Sequence, residues 1–484
     1  MSFNTKKISD NNGVTASSRV HHFFNRQMMI FLGVVVGVII LVVGAKYFVA
    51  SHKWLLKNIL VSSSQIISSV GGNTLSTDSY GQITALIIGI GGESHQWSYN
   101  TDTMMLVAYH PETRTATMLS IPRDLYVKID DKYYSRINGI VDYYTEKYKD
   151  LTGWLITLTA KVTEITGIPI DYYAMIDFNG FKKTIDLLGG IDVDVPETLV
   201  DTTYPDDVWR SDLGGGGVST LRIPQWLQRL DGATVLKYAR SRHSTSDFDR
   251  AKRQQLIIQS LIAKATSSQT LLRLKPLYEQ YKEMVTTNIS LSDALTLAPA
   301  ALSAQHFFSF VYGTDCPDNI RQMTPWCILY SPNREDFGGA AILLPSGATN
   351  TKVSTYTQTE QFAYINVRNP QFLLEHANIW LLNAIDTKSA KAIGSPNGIT
   401  SRLAARLKQF GFHIIDVDNT PKKQQRTTLL VGGTGDYSQT ITLLKLFVDF
   451  DVQKVIPSEY VGRMSDAELM LLVGDDFLIK TYTK

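Results

Sequence analysis

Four arginines crowd the short stretch from Tyr238 to Arg253: Arg240, Arg242, Arg250 and Arg253. Arg240 and Arg242 are two apart, so on an extended segment continuing Leu236 and Tyr238 they share a face. Arg250 and Arg253 are three apart and fall in the first turns of a helix, where they are neighbours. Cations at a helix start oppose the partial positive charge of its aligned peptide dipoles, a conflict that a phosphate resolves. Planar guanidinium forks match phosphate oxygens, and one segment of this kind supplies both jaws of a diphosphate clamp. Neutralisation by Asp247 and Asp249, as a salt-bridged helix end, is the competing reading. Arg123 follows Pro122 at a strand end, where the ladder must break, and is a further anion ligand. Asp102 opens a strand and is the best metal ligand in the chain. Magnesium takes one or two protein carboxylates and completes its shell with waters and phosphates, so one Asp near the arginines suffices. A strand-capping role is the alternative for Asp102. No glycine-rich nucleotide loop and no Ser-His-Asp arrangement stands out.

These side chains need a scaffold, and the hydrophobic periods supply one. Residues 84–88, 103–109 and 115–121 read as strands, the last two joined across a turn at 111–114. Helical patterns over 151–166 and 178–188 alternate with strand patterns at 172–176 and 191–195. Strands interleaved with helices imply a three-layer α/β/α domain with a mixed sheet over residues 81–270. Gly214 to Gly217 makes 201–220 read as a mobile loop, a candidate lid. Residues 271–377 read as a helical and irregular connector. Alternation returns at 378–484 as a compact α/β domain with a strand at 379–384, a helix at 398–410 and a last strand near 467–472.

The chain has 484 residues and a net charge of only +2, which excludes a globally basic nucleic-acid binder; anion binding must be local. Residues 28–50 form an apolar run close to the roughly 20 residues that span a bilayer. Lys6, Lys7, Arg19 and Arg26 precede it against one acid, Asp10, so residues 1–27 are expected in the cytoplasm and the rest outside. A cleaved signal peptide competes with this single-pass anchor, although its apolar region is usually shorter. Residues 51–80 read as a juxtamembrane helix and spacer. Cys316 and Cys327 are the only cysteines. An exterior location allows a local disulfide between them, and two free thiols remain the alternative.

The motifs Ser120-Ile121-Pro122-Arg123-Asp124, Leu188-Gly189-Gly190-Ile191-Asp192-Val193, Leu230-Asp231-Gly232, Tyr238-Ala239-Arg240-Ser241-Arg242 and Asp247-Phe248-Asp249-Arg250-Ala251-Lys252-Arg253-Gln254 stand in this order. Together they resemble the LytR-CpsA-Psr family over roughly residues 82–268, and 378–477 is similar to the C-terminal domain of some members. The resemblance implies a membrane-anchored enzyme. It would move a glycopolymer from a polyprenyl diphosphate carrier onto peptidoglycan through a phosphodiester. By the same resemblance Arg123, Arg240, Arg242 and Arg253 bind the diphosphate, with Arg250 and Gln254 beside them. Asp102 holds magnesium or manganese, and Asp124 and Asp247 orient arginines or assist proton transfer. One departure bears on the metal: Gly91 stands where the family often has an acid, which leaves Glu93, or else His95, as the candidate second ligand. Asp249, where the motif commonly has Gly, adds an acid near the clamp. Hydrolysis of the lipid diphosphate, or a non-catalytic wall-binding or regulatory role, are the alternatives to transfer.

Overall fold

The computed structural model describes residues 77–477 except 92–99, 131, 142, 145–152, 211–214, 242–246, 266–284, 290–292, 294–302, 315–326, 350–352, 354, 387–397 and 421. The candidate anchor at 28–50, Glu93, His95, Arg242 and Cys316 therefore lie outside the described residues. No described helix is long and apolar enough to cross a membrane.

The first five strands are β1 (Ile83–Ile90), β2 (Thr101–His110), β3 (Thr115–Ser120), β4 (Tyr126–Lys128) and β5 (Tyr134–Arg136). Helix α1 (Gly153–Thr166) leads to β6 (Tyr172–Asp177), α2 (Phe178–Leu187) and β7 (Ile191–Val195). Next come β8 (Leu199–Arg210), β9 (Gly215–Ile223), β10 (Trp226–Leu230), α3 (Gly232–Arg240) and α4 (Asp247–Ala265). Strands β11 (Val285–Thr287) and β12 (His306–Val311) complete a six-stranded sheet of order β11-β6-β1-β2-β3-β12. It is mixed: β1 runs parallel to β6 and antiparallel to β2, and β12 runs parallel to β3.

Alternation along β1 decides what each face does. Leu86 and Ile88 are fully buried in a cluster with Trp154, Leu158 and Val162 of α1, while Ile87 and Gly89 look toward α2, α3 and α4 across a cavity. Helices thus cover both faces, as the strand-helix alternation implies.

Three expectations need correction. The sheet is not complete at residue 270, because β11 and β12 supply both edges. The segment beyond it, with β13 (Leu329–Tyr330) and β14 (Leu344–Pro345), also closes onto the site, since Leu343 exchanges backbone hydrogen bonds with Asp124 and Tyr126. Residues 201–210 and 215–220 are strand rather than loop: β8 and β9 pair antiparallel, and Gly215 to Gly217 lie within β9, while Gly214 is outside the described residues. Finally, β7 leaves the main sheet and pairs with β10, its Ile191, Val193 and Val195 buried and its Asp192 and Asp194 exposed.

Helix α5 (Thr357–Asn366) and α6 (Pro370–Glu375) lead to a second sheet of order β16-β15-β19-β17-β18. Its strands are β15 (Ile379–Asn383), β16 (Ile414–Asn419), β17 (Thr428–Val431), β18 (Asp451–Gln453) and β19 (Leu469–Val473), with helices α7 (Ile399–Gln409) and α8 (Ser438–Leu444). One hydrophobic cluster runs from Leu86 and Leu158 through Phe362 of α5 to Phe410, Phe447 and Leu469, so the two sheets share a core. Cys327 is 1% exposed and disulfide-bonded.

Candidate functional site

A cavity of about 380 Å³ lies between the face of β1 and the helices α2, α3 and α4. That is within the common range for a bound small molecule, about 300–1,000 Å³. Its depth is apolar: Ile87, Ile176, Phe178 and Phe181 on one side, Leu236, Ile257, Ile258 and Leu261 on the other. Arg123, Arg240, Arg250 and Gln254 line it as well, with the carboxylates of Asp102 and Asp177. Three guanidinium groups against two carboxylates leave a positive charge beside an apolar chamber. A second, smaller chamber of about 50 Å³ shares Asp102, Arg123, Arg250 and Gln254 and adds Ser120, Asp124 and Leu343.

Local chemistry fixes each contributor. Arg123 follows the strand-ending Pro122, and its Nη1 donates to Asp102 Oδ1 at 2.6 Å. Asp124 Oδ2 lies 3.5 Å from Arg123 Nε, and Asp124 Oδ1 accepts from Arg136 Nη1 at 3.3 Å. Asp124 therefore bridges two arginines, a geometry in which it can orient Arg123. Asp177 caps α2 by accepting from the Gly180 backbone N at 2.6 Å, which places it on the cavity wall. It is the one carboxylate here that the sequence reading missed. Its signal was an Asp directly before a helical pattern, and the β1–β6 register sets it opposite Ile90, next to Gly91.

The arginine segment differs from its expected shape. Helix α3 runs through Arg240, so Leu236, Tyr238 and Arg240 are helical rather than extended. Asp231 starts that helix, accepting from Thr234 N at 2.7 Å, and Gly232 fits only because it has no side chain: a Cβ there would overlap the Lys182 carbonyl. Arg240 thus occupies a helix C-terminus, where a cation is favoured, and the conflict inferred for it does not arise. Its guanidinium lies 5.0 Å from the centre of the Phe178 ring. Helix α4 begins at Asp247, so two acids open its first turn and suit its dipole. The side chain of Asp247 is outside the described residues.

Arg250 and Arg253 do not act as a pair. Arg250 is buried and lines both chambers. Arg253 lines neither of them; its Nε donates to the Tyr238 carbonyl at 2.9 Å and its Nη2 to the Ser241 carbonyl at 2.5 Å. Burial lowers its pKa, and the neighbouring Tyr238, Asp249, Asp201 and Glu197 oppose that shift. Gln254 lines both chambers, with Nε2 3.5 Å from the Ala239 carbonyl. Among the described residues no three His, Cys, Asp or Glu side chains gather as a metal cluster.

The LytR_cpsA_psr family model matches residues 56–309, just over half of the 484. The chain belongs to the LytR-CpsA-Psr family. It is 32% identical over 199 residues to the polyisoprenyl-teichoic acid–peptidoglycan teichoic acid transferase TagV of Bacillus subtilis, covering 41% of this chain and 47% of that protein. It is 29% identical over 233 residues to the cell wall biosynthesis protein LcpA of Corynebacterium glutamicum, covering 44% of this chain and 40% of LcpA. The matches therefore span less than half the length of these curated relatives. The crystal structure of B. subtilis TagV aligns at 23% identity with a TM-score of 0.41, over 59% of this chain and 96% of that one. Every residue lining the larger cavity lies inside the stretch that matches the LytR-CpsA-Psr model, whereas Val311 and Leu343 of the smaller chamber lie beyond it.

Proposed function

We propose that this protein is an extracytoplasmic phosphotransferase that moves a glycopolymer from a polyprenyl diphosphate carrier to a peptidoglycan hydroxyl. The observation that carries the reading is one cavity that joins an apolar chamber to Arg123, Arg240 and Arg250. A polyprenyl diphosphate has the same two halves. Its tail would gain about 0.8 kcal/mol per buried methylene in the chamber, and its phosphates would take charge-assisted hydrogen bonds at the arginines. Family membership and the named transferase among the relatives support the same class of activity. Residues 28–50 would anchor the chain as a single-pass membrane protein, and 378–484 would form the accessory domain found in some family members.

In this mechanism the arginines hold the diphosphate and offset the charge that builds on the transferred phosphoryl and the leaving polyprenyl phosphate, which is mainly electrostatic positioning. Asp124 keeps Arg123 aimed at the phosphate. Asp102, which borders both chambers, would hold a magnesium or manganese ion, with Asp177 rather than Gly91 on the adjoining wall. One or two carboxylates with phosphate oxygens is a donor set that fits magnesium. When bound, such an ion would neutralise phosphate charge. The full-length chain in detergent, incubated with a polyprenyl diphosphate sugar and a peptidoglycan fragment, tests the reading. Conjugate formation is the expected result. Polyprenyl phosphate released without conjugate would make it a hydrolase, and lipid bound but unconverted would make it a binding protein.

A further inference from the structure

Asp201 is a carboxylate fully shielded from solvent near the base of the β8–β9 hairpin, where it pairs with Leu221. Its Oδ2 accepts from Ser241 Oγ at 2.7 Å, and its Oδ1 accepts from the Thr203 backbone N at 3.1 Å. Ser241 is also fully buried, follows Arg240 directly and ends α3. There the backbone turns abruptly, with φ −54° and ψ 135° at Ser241. The Ser241 carbonyl accepts from Arg253, which in turn feels the negative charge of Asp201. Three elements thus meet at the residue next to Arg240: the hairpin base, the end of α3 and the second turn of α4.

A carboxylate out of water is costly unless charges and hydrogen bonds compensate it. Here the compensation falls at the exit of α3, and it ties that exit to the base of the hairpin. The direction of that exit sets where the last turn of α3 stands, and with it the guanidinium of Arg240 on the cavity wall. We propose that Asp201 is a positioning residue for the diphosphate site, acting through Ser241 to hold the end of α3 so that Arg240 meets the phosphates. The hairpin, taken from sequence as a lid, is then a splint whose base braces the anion site. This inference rests on the proposed function, in that Arg240 binds a diphosphate.

The test uses the full-length chain and two probes, farnesyl diphosphate and inorganic pyrophosphate, titrated calorimetrically. Arg240→Ala reports whether the anion site is real. Asp201→Asn and Ser241→Ala are each expected to weaken both probes about tenfold. Combining them should weaken binding no further than one alone, because they break one linkage. Ser241→Thr, which keeps the hydroxyl, is expected to bind nearly as the unchanged chain does. Normal binding by Asp201→Asn and Ser241→Ala, with Arg240→Ala impaired, overturns the positioning role and leaves the proposed function standing. Additive losses in the double variant overturn it as well. Normal binding by Arg240→Ala overturns both readings together. Should Asp201→Asn fail to fold, Ser241→Ala against Ser241→Thr decides the question alone.

Discussion

Arg250 and Arg253 stand three residues apart on one helix and have different duties. Arg250→Ala is expected to weaken pyrophosphate binding about tenfold. Arg253→Ala removes the donors to two backbone carbonyls at the end of α3. It should lower stability by about 1–3 kcal/mol in a denaturant titration. Equal effects of the two substitutions on both measurements would sink this division. The spacing of these arginines was legible in the sequence, but their division was not, because it depends on where the end of α3 lies against α4. A second residue-level forecast concerns His110, buried against Gln82 and the Val367 carbonyl. Burial lowers its pKa below the ordinary 6.5. The unfolded chain then binds the proton more readily. The neutral ring's contribution is complete above pH 6.5 and is lost as pH falls toward the folded value. His110→Gln should flatten the pH dependence of stability below 6.5.

Among the elements, α3 shows both what local pattern reveals and where it misleads. Asp231 before Gly232 is a plain helix-start signal, yet Leu236, Tyr238 and Arg240 were read as extended because a short apolar alternation fits either period. The β8–β9 hairpin was read as a loop because its consecutive glycines weaken any strand pattern, and only pairing with β8 makes β9 a strand. Strands β1, β2 and β3 were readable because each is an apolar run and the last two are separated only by the turn between His110 and Thr115. Gly232→Ala tests how tightly α3 is seated. Its new Cβ would collide with backbone, not with a flexible side chain, so a loss of about 1–3 kcal/mol is expected. Unchanged thermal melting would show that α3 can shift without cost.

At the scale of the whole molecule, the accessory sheet is bonded to the first by a continuous core and by buried polar contacts. Arg368 pairs with Asp78 and donates to Gln82 Oε1 at 2.9 Å, with its guanidinium 4.3 Å from the Tyr80 ring centre. None of this was legible, since edge strands β11 and β12 and the interdomain contacts join segments far apart in the chain. Arg406 of α7 lies in this shared interior, 1% exposed, between the rings of Phe410 and Phe447. Burial pulls its pKa down to about 9. Its Nη2 reaches Gln361 Oε1 at 3.3 Å, while its Nε and Nη1 make no hydrogen bond among the described residues. Arg406→Met keeps the bulk without the charge, and is expected to leave stability unchanged or raise it by about 1–4 kcal/mol. A drop in denaturation midpoint would show the charge to be compensated.

Strand β1 sits where these scales meet, since Leu86 and Ile88 join the shared core while Ile87 and Gly89 border the cavity. A half-buried strand drifts freely at every second position. This one has no neutral side on which substitutions can accumulate, so residues 86–89 should change in evolution as slowly as a catalytic motif although none of them carries a reactive group.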